Sequence, residues 1–412
     1  MEVTELKKYD LAVIGGGMSG VCAAVSAARE GLSVLLVEKT GVLGGAMSNS
    51  LVYPFMRHMT DLGKTRINDG MFTEIKERKE KFGDTSWEPY KFVFDDMAQE
   101  AGVDVLFHTH MYDAVTEERR IKAVKLSTRS GNITAEADFF IDASGDGNLI
   151  AAAGCDFQLG REKDGLCQPM TTCFRVGGAD VKQFKKDLPR LQETYSRLRT
   201  EGKIKNPRED ILFFCGLGEG IIHFNTTRIV KHNPIDAIEL SRAEMGARKQ
   251  IYEMMCFLRE HSAAFEKATL LSVAEEIGVR ESRKLMGVYV LTADDLRSFV
   301  DFEDTIACGN YGIDIHSPDG TGTVQYHLKP GEFYRIPYRS LLPKEYDNML
   351  VAGRCLSATH EAHSAVRIMP ICASLGEAAG IAVAEAKLSG ADMHTVDIQA
   401  VRAKLKEKGA KL

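Results

Sequence analysis

The sequence has few of the features that mark secreted, membrane-bound or nucleic-acid-binding proteins. Its 9 cysteines are an odd number and are scattered without a CxxC pair or the spacing of a metal site, which is typical of reduced thiols in the cytoplasm. No uninterrupted apolar run is long enough to span a membrane, and residues 1–8 contain no apolar signal-peptide region. The formal net charge of −6 provides no basic footprint for nucleic acid. We therefore expect a cytoplasmic protein that holds no metal and binds neither membranes nor nucleic acid.

Length and composition favour two closely connected domains. The 412 residues exceed what one ordinary hydrophobic core accommodates. Hydrophobic residues make up 44% of the chain and charged residues 27%, which is typical of a globular protein. No internal repeat or low-complexity linker is present, so we expect the chain to be folded throughout.

The clearest motif lies near the N-terminus, where an apolar run at residues 9–14 precedes three glycines at GxGxxG spacing. The run predicts a buried parallel strand, and the small residues 21–29 predict a helix. The first glycine permits a tight turn, the second lets the backbone approach a pyrophosphate, and the third lets the helix pack closely on its strand. The N-terminus of the helix offers free N–H groups to a phosphate. The predicted phosphate-binding residues are Gly15, Gly17, Met18, Ser19 and Gly20.

An acid and a second glycine pair follow this motif. The strand predicted at residues 34–37 ends at Glu38, whose carboxylate can accept hydrogen bonds from a ribose diol and would repel a 2′-phosphate. A glycine pair a few residues later lets another segment close over the same pyrophosphate. This pattern resembles the N-terminal E-K…G-G-x-x-S pattern of FAD-dependent oxidoreductases; the alternative is a surface loop with turn glycines. The predicted contacts in this stretch are Lys39, Gly44, Gly45 and Ala46.

Alternating apolar and polar residues between 114 and 137 predict a small antiparallel meander, with polar turns near 117–120 and 129–132. A separate buried strand, residues 139–143, is predicted to return beside the first strand and to end in a glycine turn that faces the cofactor. The alternative is an ordinary strand-to-helix turn. The cofactor contacts predicted in this region are Met111, Ala143, Ser144 and Gly145.

Between residues 156 and 340 the dinucleotide pattern is absent. Residues 171–176 and 220–224 are strand-like, and residues 236–259 predict a long helix. No second GxGxxG occurs, so we expect no separate NAD(P)H domain. The predicted class is α/β: a Rossmann-like FAD-binding domain, with a parallel sheet and an antiparallel meander, built from residues 1–155 and 341–412. Residues 156–340 form an inserted α+β substrate domain.

The C-terminal part predicts a strand at residues 348–355 that runs into Gly353 and Arg354, and a helix at 371–388 with Pro370 at its first position. Free N–H groups at the start of that helix would face an electron-rich group, such as the N1/C2=O edge of a flavin. Arg367 would add a positive charge there; the alternative is a salt bridge that anchors the loop. Gly353, Arg354 and Arg367 are therefore predicted to contact the cofactor.

These motifs together resemble those of the FAD-dependent oxidoreductase family, and they span nearly the whole chain. The matching blocks are Gly353–Arg354, Ser357–Ala362, Arg367, Met369–Pro370, Gly376–Gly380, His223–Arg228, Gly278–Arg283, Asp314–His316 and Ile336–Leu341. The chain is more distantly similar to fumarate reductases. Many of those have an acid after the glycine of the C-terminal strand, where this chain has Arg354, so a cationic contact is expected instead. No histidine lies in residues 44–50, where such enzymes often attach flavin covalently, so the resemblance implies noncovalent FAD.

Several polar residues are candidates for the chemistry. Arg280 and Arg283 flank Glu281, and two guanidinium groups can clamp a substrate carboxylate; the alternative is that Glu281 pairs with one of them and holds the loop. Histidines are candidate acid–base groups because their pKa lies near neutrality. The candidates of this kind are His316, His360 and His363, of which His360 is preferred because its loop leads to the predicted flavin helix. Four further residues, Tyr53, His58, Asn225 and Arg228, are possible contacts of flavin or substrate.

The sequence therefore predicts an FAD-dependent oxidoreductase that transfers a hydride between flavin N5 and a small organic substrate. The substrate and the electron acceptor or donor are not identified by the sequence, and the chain could form a homo-oligomer. One alternative is a flavin monooxygenase or hydratase-like enzyme. Another is a flavin-binding assembly factor without catalytic activity.

Overall fold

The computed structural model describes residues 6–60, 65–320 and 322–412, so residues 1–5 and part of the stretch without clear periodicity at 49–66 lie outside the described residues. The first third of the chain contains β1 (Tyr9–Ile14), α1 (Met18–Arg29), β2 (Val34–Val37), β3 (Met59–Thr60), β4 (Thr65–Arg66), α2 (Met71–Glu80), α3 (Pro89–Ala101), β5 (Asp104–Leu106), β6 (His110–Glu117), β7 (Arg120–Thr128), β8 (Gly131–Asp142) and α4 (Asn148–Ala153).

The middle of the chain contains β9 (Phe157–Leu159), β10 (Phe174–Gly177), α5 (Val181–Thr200), β11 (Phe213–Phe214), β12 (Ile222–Phe224), α6 (Ala237–His261), β13 (Thr269–Val273) and β14 (Arg283–Leu285). The last part contains α7 (Ala293–Arg297), β15 (Thr305–Gly309), β16 (Ile313–His316), β17 (Thr323–Tyr326), β18 (Tyr334–Pro337), β19 (Met349–Val351), α8 (His360–Val366), α9 (Met369–Ser389) and α10 (Ile398–Glu407).

The largest sheet confirms the predicted α/β class. Its strand order is β5-β2-β1-β8-β7-β6, and β19 also pairs with β8. The pairings of β5, β2, β1, β19 and the C-terminal half of β8 are parallel, whereas β6 and β7 form the antiparallel meander. Parallel strands end at one edge of a sheet, so Ile14, Val37, Asp142 and Val351 lead into loops on the same side.

The third strand of the meander and the returning strand were predicted as separate elements, and this was wrong. β8 is one strand of 12 residues. Its first half pairs with β7 and its second half pairs with β1. The polar residue Asp138 interrupts the apolar pattern but not the strand, because its carboxylate pairs with Lys8 and Lys387 at the protein surface.

A second sheet, of order β11-β12-β10-β13, lies in the middle of the chain and is antiparallel. With α5 and α6 it forms its own core, which includes Phe174, Phe184, Phe224 and Phe265. The larger core collects side chains from residues 9–155 and 285–405, so the segment after Leu285 packs with the first sheet. The predicted domain boundaries at residues 155 and 340 remain a prediction.

The N-terminal and C-terminal parts of the chain meet where α1 packs on α9. A Cβ at Gly376 would lie 2.1 Å from the carbonyl oxygen of Ser19, and one at Gly380 would lie 2.3 Å from that of Ala23. Glycine is therefore required for the two helix backbones to approach this closely. α9 is long and apolar enough to cross a membrane by composition, but 83% of its most apolar window is buried, which identifies it here as a core helix.

We predict that Gly376→Ala destabilises the protein although alanine is the better helix former. The methyl group would separate α1 from α9, at a cost of about 2 kcal/mol, measurable as a lower midpoint in urea unfolding. Gly246→Ala in α6 is the matched control. Its Cβ would meet only the end of the Ile229 side chain, at 3.4 Å, and we expect it to stabilise the protein by up to about 1 kcal/mol. Equal effects of the two changes would contradict the prediction.

Candidate functional site

The first glycine turn connects β1 to α1 and packs against the turn after β8. At Gly15, where φ is +102°, a Cβ would lie 2.5 Å from the carbonyl oxygen of Ala143, and at Gly20 it would lie 1.8 Å from that of Gly15. Gly17 differs, because φ is −70° and, among the described residues, only the Cα of Gly45 lies within 4 Å of its Cβ position, at 3.9 Å. The fold therefore requires Gly15 and Gly20, whereas the space beside Gly17 is open to a ligand.

The second glycine loop lies directly on the first. The Gly44 amide donates to the carbonyl of Gly16 at 2.8 Å, and Gly17 and Gly44 form a parallel bridge. Gly45 has φ of +56°, and a Cβ there would lie 2.9 Å from the Cα of Gly17. The two loops are thus in backbone contact. The other residues of these loops that are predicted to contact the cofactor differ in accessibility. Met18 and Ser19 are buried, whereas Ala46 is exposed.

Glu38 ends its strand as predicted, and its carboxylate holds the glycine turn. One oxygen accepts from the Gly16 amide at 2.7 Å, and the other accepts from the amide and hydroxyl of Thr40 at 2.8 and 2.7 Å. A carboxylate has about four acceptor positions, so capacity for a ribose hydroxyl remains.

Two further predicted cofactor contacts, Lys39 and Met111, lie near Glu38. Lys39 forms a salt bridge with Glu276 at 3.0 Å and is exposed, so its observed contact joins the turn to the middle of the chain. Met111 is buried in β6, two residues beyond Thr109, whose amide donates to the carbonyl of Glu38 at 3.0 Å. Cofactor contacts by Lys39 and Met111 remain predictions.

The turn after β8 is held by a buried carboxylate that the sequence analysis did not single out. Asp142 is fully buried and accepts from the amide and hydroxyl of Ser144, at 3.0 and 2.6 Å, and from the Ile150 amide at 2.9 Å. Burial raises the pKa of Asp142, and these hydrogen bonds oppose that rise. Ser144 is consequently committed to the turn, and its hydroxyl also accepts from the Asn148 amide at 3.0 Å.

Arg354 joins the two halves of the predicted cofactor site. Its guanidinium group pairs with Asp146 at 2.8 Å and donates to the carbonyl of Val279 at 2.6 Å. It also covers Gly145, where a Cβ would lie 2.8 Å from one guanidinium nitrogen. The cationic group expected in place of an acid is therefore present, and its observed partners are protein groups of the β8 turn and the middle segment.

The C-terminal segment lies against the first glycine turn. Gly353 has φ of +77°, and a Cβ there would lie 2.4 Å from the hydroxyl of Ser19. α9 begins at Met369, so Pro370 is its second residue and not its first, and no side chain caps its N-terminus. Arg367 precedes this end, donates to the side chain of Gln168 at 3.4 Å and leaves its buried Nε without a partner.

Arg280 and Arg283, the predicted carboxylate clamp, have different protein partners, and the clamp remains a prediction. Arg280 donates to the carbonyl of Pro169 and to the Thr171 hydroxyl, at 2.5 and 2.6 Å. Arg283 donates to the carbonyl of Asp146 at 2.9 Å and lies over the ring of Phe157 at 5.5 Å. The chain bends at Arg280, so the two guanidinium groups serve different segments, and the contacts of Arg283 are those of an anchoring residue.

Two of the three candidate histidines are surrounded by protein. His363 is fully buried, contacts the carbonyl of Arg354 through Nε2 at 2.9 Å and has no partner for Nδ1; burial lowers its pKa to about 3. His316 contacts the Asp314 carboxylate at 3.4 Å. Burial and the charge of Arg280 lower its pKa to about 4. Both imidazoles are therefore neutral at neutral pH, and catalytic roles for them remain predictions.

His360 is held differently, by a buried carboxylate. Its Nδ1 lies 2.8 Å from the carboxylate of Glu281, and the same carboxylate binds the ammonium group of Lys284. Glu281 and Lys284 are both fully buried. Despite the opposing effect of burial, the pKa of Glu281 is lowered to about 2 by the hydrogen bond from His360 and the charge of Lys284. Lys284 was missed, since a lysine directly after Arg283 in a charged segment looks like an ordinary surface residue.

Four weaker candidates lie in separate surroundings. Both ring nitrogens of His58 are used, by the carbonyl of Met56 at 3.0 Å and by Lys76 at 3.2 Å. Tyr53 packs edge-on against three rings, those of Trp87, Phe214 and His223. Asn225 has a buried side-chain oxygen without a partner. Arg228 pairs with Glu209 at 3.1 Å and is 2% exposed.

The described residues fit a bound dinucleotide. The N-termini of α1 and α9 have no side-chain cap and no acid in the first turn, so their free N–H groups can meet a phosphate and an electron-rich ring edge. The open space beside Gly17 lies at the first of these helices, and the orphaned Nε of Arg367 lies at the second. The fold and the two glycine loops define a Rossmann-type dinucleotide-binding protein.

The family described as FAD dependent oxidoreductase matches residues 10–405. The chain therefore belongs to this family, which confirms the predicted cofactor, FAD, and the predicted class of enzyme. Noncovalent attachment of the cofactor remains a prediction.

Comparisons with individual proteins give shorter matches. The chain is 25% identical over 193 residues to digeranylgeranylglycerophospholipid reductase 1 of Methanococcoides burtonii, covering 43% of this chain and 46% of the relative. It is 34% identical over 86 residues to a dihydrolipoamide dehydrogenase of Chaetomium thermophilum, covering 17% of each protein. It thus spans less than half the length of these curated relatives. The solved structure of the flavin-dependent brominase Bmp2 has a similar fold, with a TM-score of 0.51 and 12% identity, and the match covers 96% of this chain and 83% of that one.

We predict that Gly17→Val abolishes flavin binding without unfolding the protein. The side chain would fill the space that the phosphate needs, whereas its Cβ would meet only Gly45 among the described residues and it suits the backbone angle. The purified variant should lack absorbance near ~450 nm and keep the circular dichroism spectrum of the wild type. Gly17→Ala should retain part of the flavin. Full flavin content in the valine variant would contradict the assignment of this turn.

Proposed function

We propose that this enzyme transfers a hydride between bound FAD and a small organic substrate, and that His360 handles the accompanying proton. When bound, FAD supplies the two-electron donor or acceptor. The observation that carries the role of His360 is its hydrogen bond to the buried carboxylate of Glu281.

The hydrogen bond fixes the tautomer of His360. Because Glu281 is ionised, its oxygens only accept, and Nδ1 of His360 must carry the proton that lies between them. Nε2 is then the lone-pair nitrogen and can act as a base. His360 is 8% exposed, so the imidazole is largely shielded from water but not sealed in the core as His363 is.

The proton and the electrons balance in either direction. In oxidation, bound FAD would accept the electron pair and hydrogen of a substrate C–H bond, and Nε2 of His360 would accept the proton from the adjacent oxygen or nitrogen. In reduction, protonated His360 returns the proton as the hydride arrives. General acid–base assistance of this kind contributes about 10²- to 10⁴-fold to a rate.

Lys284 balances the charge of the carboxylate that holds His360. A carboxylate alone would stabilise the protonated imidazole, but here its charge is balanced by a lysine at the same oxygen atoms. The pair therefore orients His360 and carries no net charge of its own beside the imidazole.

Gln168 connects this group to the predicted flavin helix. The backbone amide of Gln168 donates to the carboxylate of Glu281 at 3.1 Å, and its side-chain oxygen accepts from Arg367 at 3.4 Å. Its buried side-chain nitrogen, Nε2, has no partner among the described residues. An unsatisfied donor at this depth is costly, and a ligand oxygen would satisfy it. The contact supports a position for the substrate beside these residues.

We predict that His360→Gln slows substrate-dependent flavin reduction about 10²-fold or more. The variant should keep its FAD, and dithionite should reduce that FAD at the wild-type rate. The substrate is first found by screening metabolites anaerobically for bleaching of the bound flavin, followed by stopped-flow measurement. His232→Gln is the matched control, because that imidazole contacts only the carbonyl of Val230 among the described residues, at 2.8 Å.

An unchanged rate in His360→Gln would overturn the role of this histidine. Oxygen-dependent consumption of NADPH with hydroxylation of a product would instead indicate a monooxygenase. Failure of every metabolite to bleach the flavin in a broad screen would count against hydride transfer.

A further inference from the structure

Two half-buried arginines, Arg280 and Arg367, have no carboxylate partner among the described residues. Arg280 contacts only a carbonyl and a hydroxyl, and Arg367 contacts only the oxygen of Gln168. No acidic oxygen of the described chain lies within 4.0 Å of either guanidinium group. A buried cation is expensive to leave unpaired, so this arrangement requires a compensating charge from elsewhere.

The two groups are held on one short segment. Arg367 binds Gln168, and Arg280 binds Pro169 and Thr171, so both guanidinium groups lie along residues 168–171. Both side chains keep some accessible surface. Burial and the positive charge of Arg367 lower the pKa of Arg280 to about 9, so it stays charged at neutral pH.

Nearby charges do not balance the pair. Arg208 is neutralised by Asp210 at 2.6 Å and Arg228 by Glu209 at 3.1 Å. Asp314 is the remaining acid that acts on Arg367, and its carboxylate is taken up by Tyr311 at 2.6 Å and by His316. Four arginines therefore face three carboxylates, which leaves an excess of one positive charge.

The same segment borders the predicted cofactor loops. Gly278, two residues before Arg280, forms a bridge with Thr171. A Cβ at Gly278 would lie 3.0 Å from the Thr171 carbonyl and 3.6 Å from the Cβ of Ser50. Ser50 follows the second glycine loop, so the unpaired charges lie close to the residues that are predicted to contact FAD. They also lie close to His360, through Gln168 and Glu281.

We infer that Arg280 and Arg367 bind a carboxylate of the substrate, with the free Nε2 of Gln168 as a third donor, so that the enzyme acts on a small organic acid. This inference rests on the proposed function for the identity of the site. Guanidinium groups suit a planar carboxylate because they offer paired, coplanar N–H donors. One carboxylate supplies the single negative charge that the cluster lacks. The sequence predicted this clamp on Arg280 and Arg283, whereas the proposed clamp combines Arg280 with Arg367, because both bind residues 168–171.

Binding can be tested without knowing the substrate. FAD-loaded enzyme is titrated at constant ionic strength with acetate, glycolate, malonate and succinate, and with acetamide and succinamide as uncharged counterparts. The readout is the perturbation of the flavin absorbance spectrum. We expect carboxylates to bind and amides not to bind. In Arg280→Gln the dissociation constant of the tightest carboxylate should rise about 10- to 100-fold, with a smaller rise in Arg280→Lys, which keeps the charge.

Arg197→Gln is the matched control, because Arg197 lies on α5, pairs with Glu201 and is 58% exposed; its titration should match the wild type. Equal binding of inorganic phosphate and carboxylates, or unchanged binding in both Arg280 variants, would overturn the inference. Loss of FAD from Arg367→Gln would overturn the assignment of Arg367 to the substrate.

The proposed hydride transfer and the proposed anion site can be disproved independently of each other. Wild-type enzyme that binds carboxylates but whose flavin no substrate reduces would contradict hydride transfer and leave the anion site standing. Substrate-dependent bleaching that is unaffected by Arg280→Gln would contradict the anion site and leave hydride transfer standing.

Discussion

The close contact between α1 and α9 is the constraint on which the rest of the structure depends. Gly376 meets Ser19 and Gly380 meets Ala23, so residue numbers increase together along both helices and the helices run parallel. Their N-termini consequently point to the same side of the sheet. The start of α9 lies about two turns beyond the start of α1, so an extended, electron-rich ligand can meet the positive end of each helix. The packing of the chain ends thus prepares a site that FAD completes.

Buried carboxylates give that site its shape. Glu38 holds the first glycine turn, Asp142 holds the turn after β8, and Glu281 holds His360 and Lys284. Each carboxylate accepts hydrogen bonds from the chain itself, so the loops are fixed before any ligand binds. Preorganised groups of this kind need no rearrangement at the moment of reaction. The carboxylate charges are therefore used by the protein itself. The N–H groups of the helix ends, of Gln168 and of the two arginines remain available to a ligand.

The sequence predicted the parts of the site whose signals are local. Glycine spacing, a strand-ending acid and an alanine-rich helix each report on a few adjacent residues, and the structure has the turns, the strand end and the helix where they were expected. Long-range pairings were predicted less well. The continuity of β8 depends on partners for Asp138 that lie far away in the sequence. α5 was missed because it is polar and contains Pro189. The partners of Arg280 and Arg283 depend on a bend that spacing does not reveal.

Charge accounting links these observations to the choice of substrate. Positive charge favours an electron-rich flavin, and the N-termini of α1 and α9 already supply partial positive charge for it. Those partial charges are spread over backbone N–H groups. Arg280 lies two residues after Gly278, and its observed partners, the carbonyl of Pro169 and the hydroxyl of Thr171, carry no compensating full charge. An excess full charge at that position gives an anion a gain in binding free energy that a neutral analogue lacks. Glu281 and Lys284, which hold His360, balance each other's charge, so the proposed selection of an acid rests on the arginines.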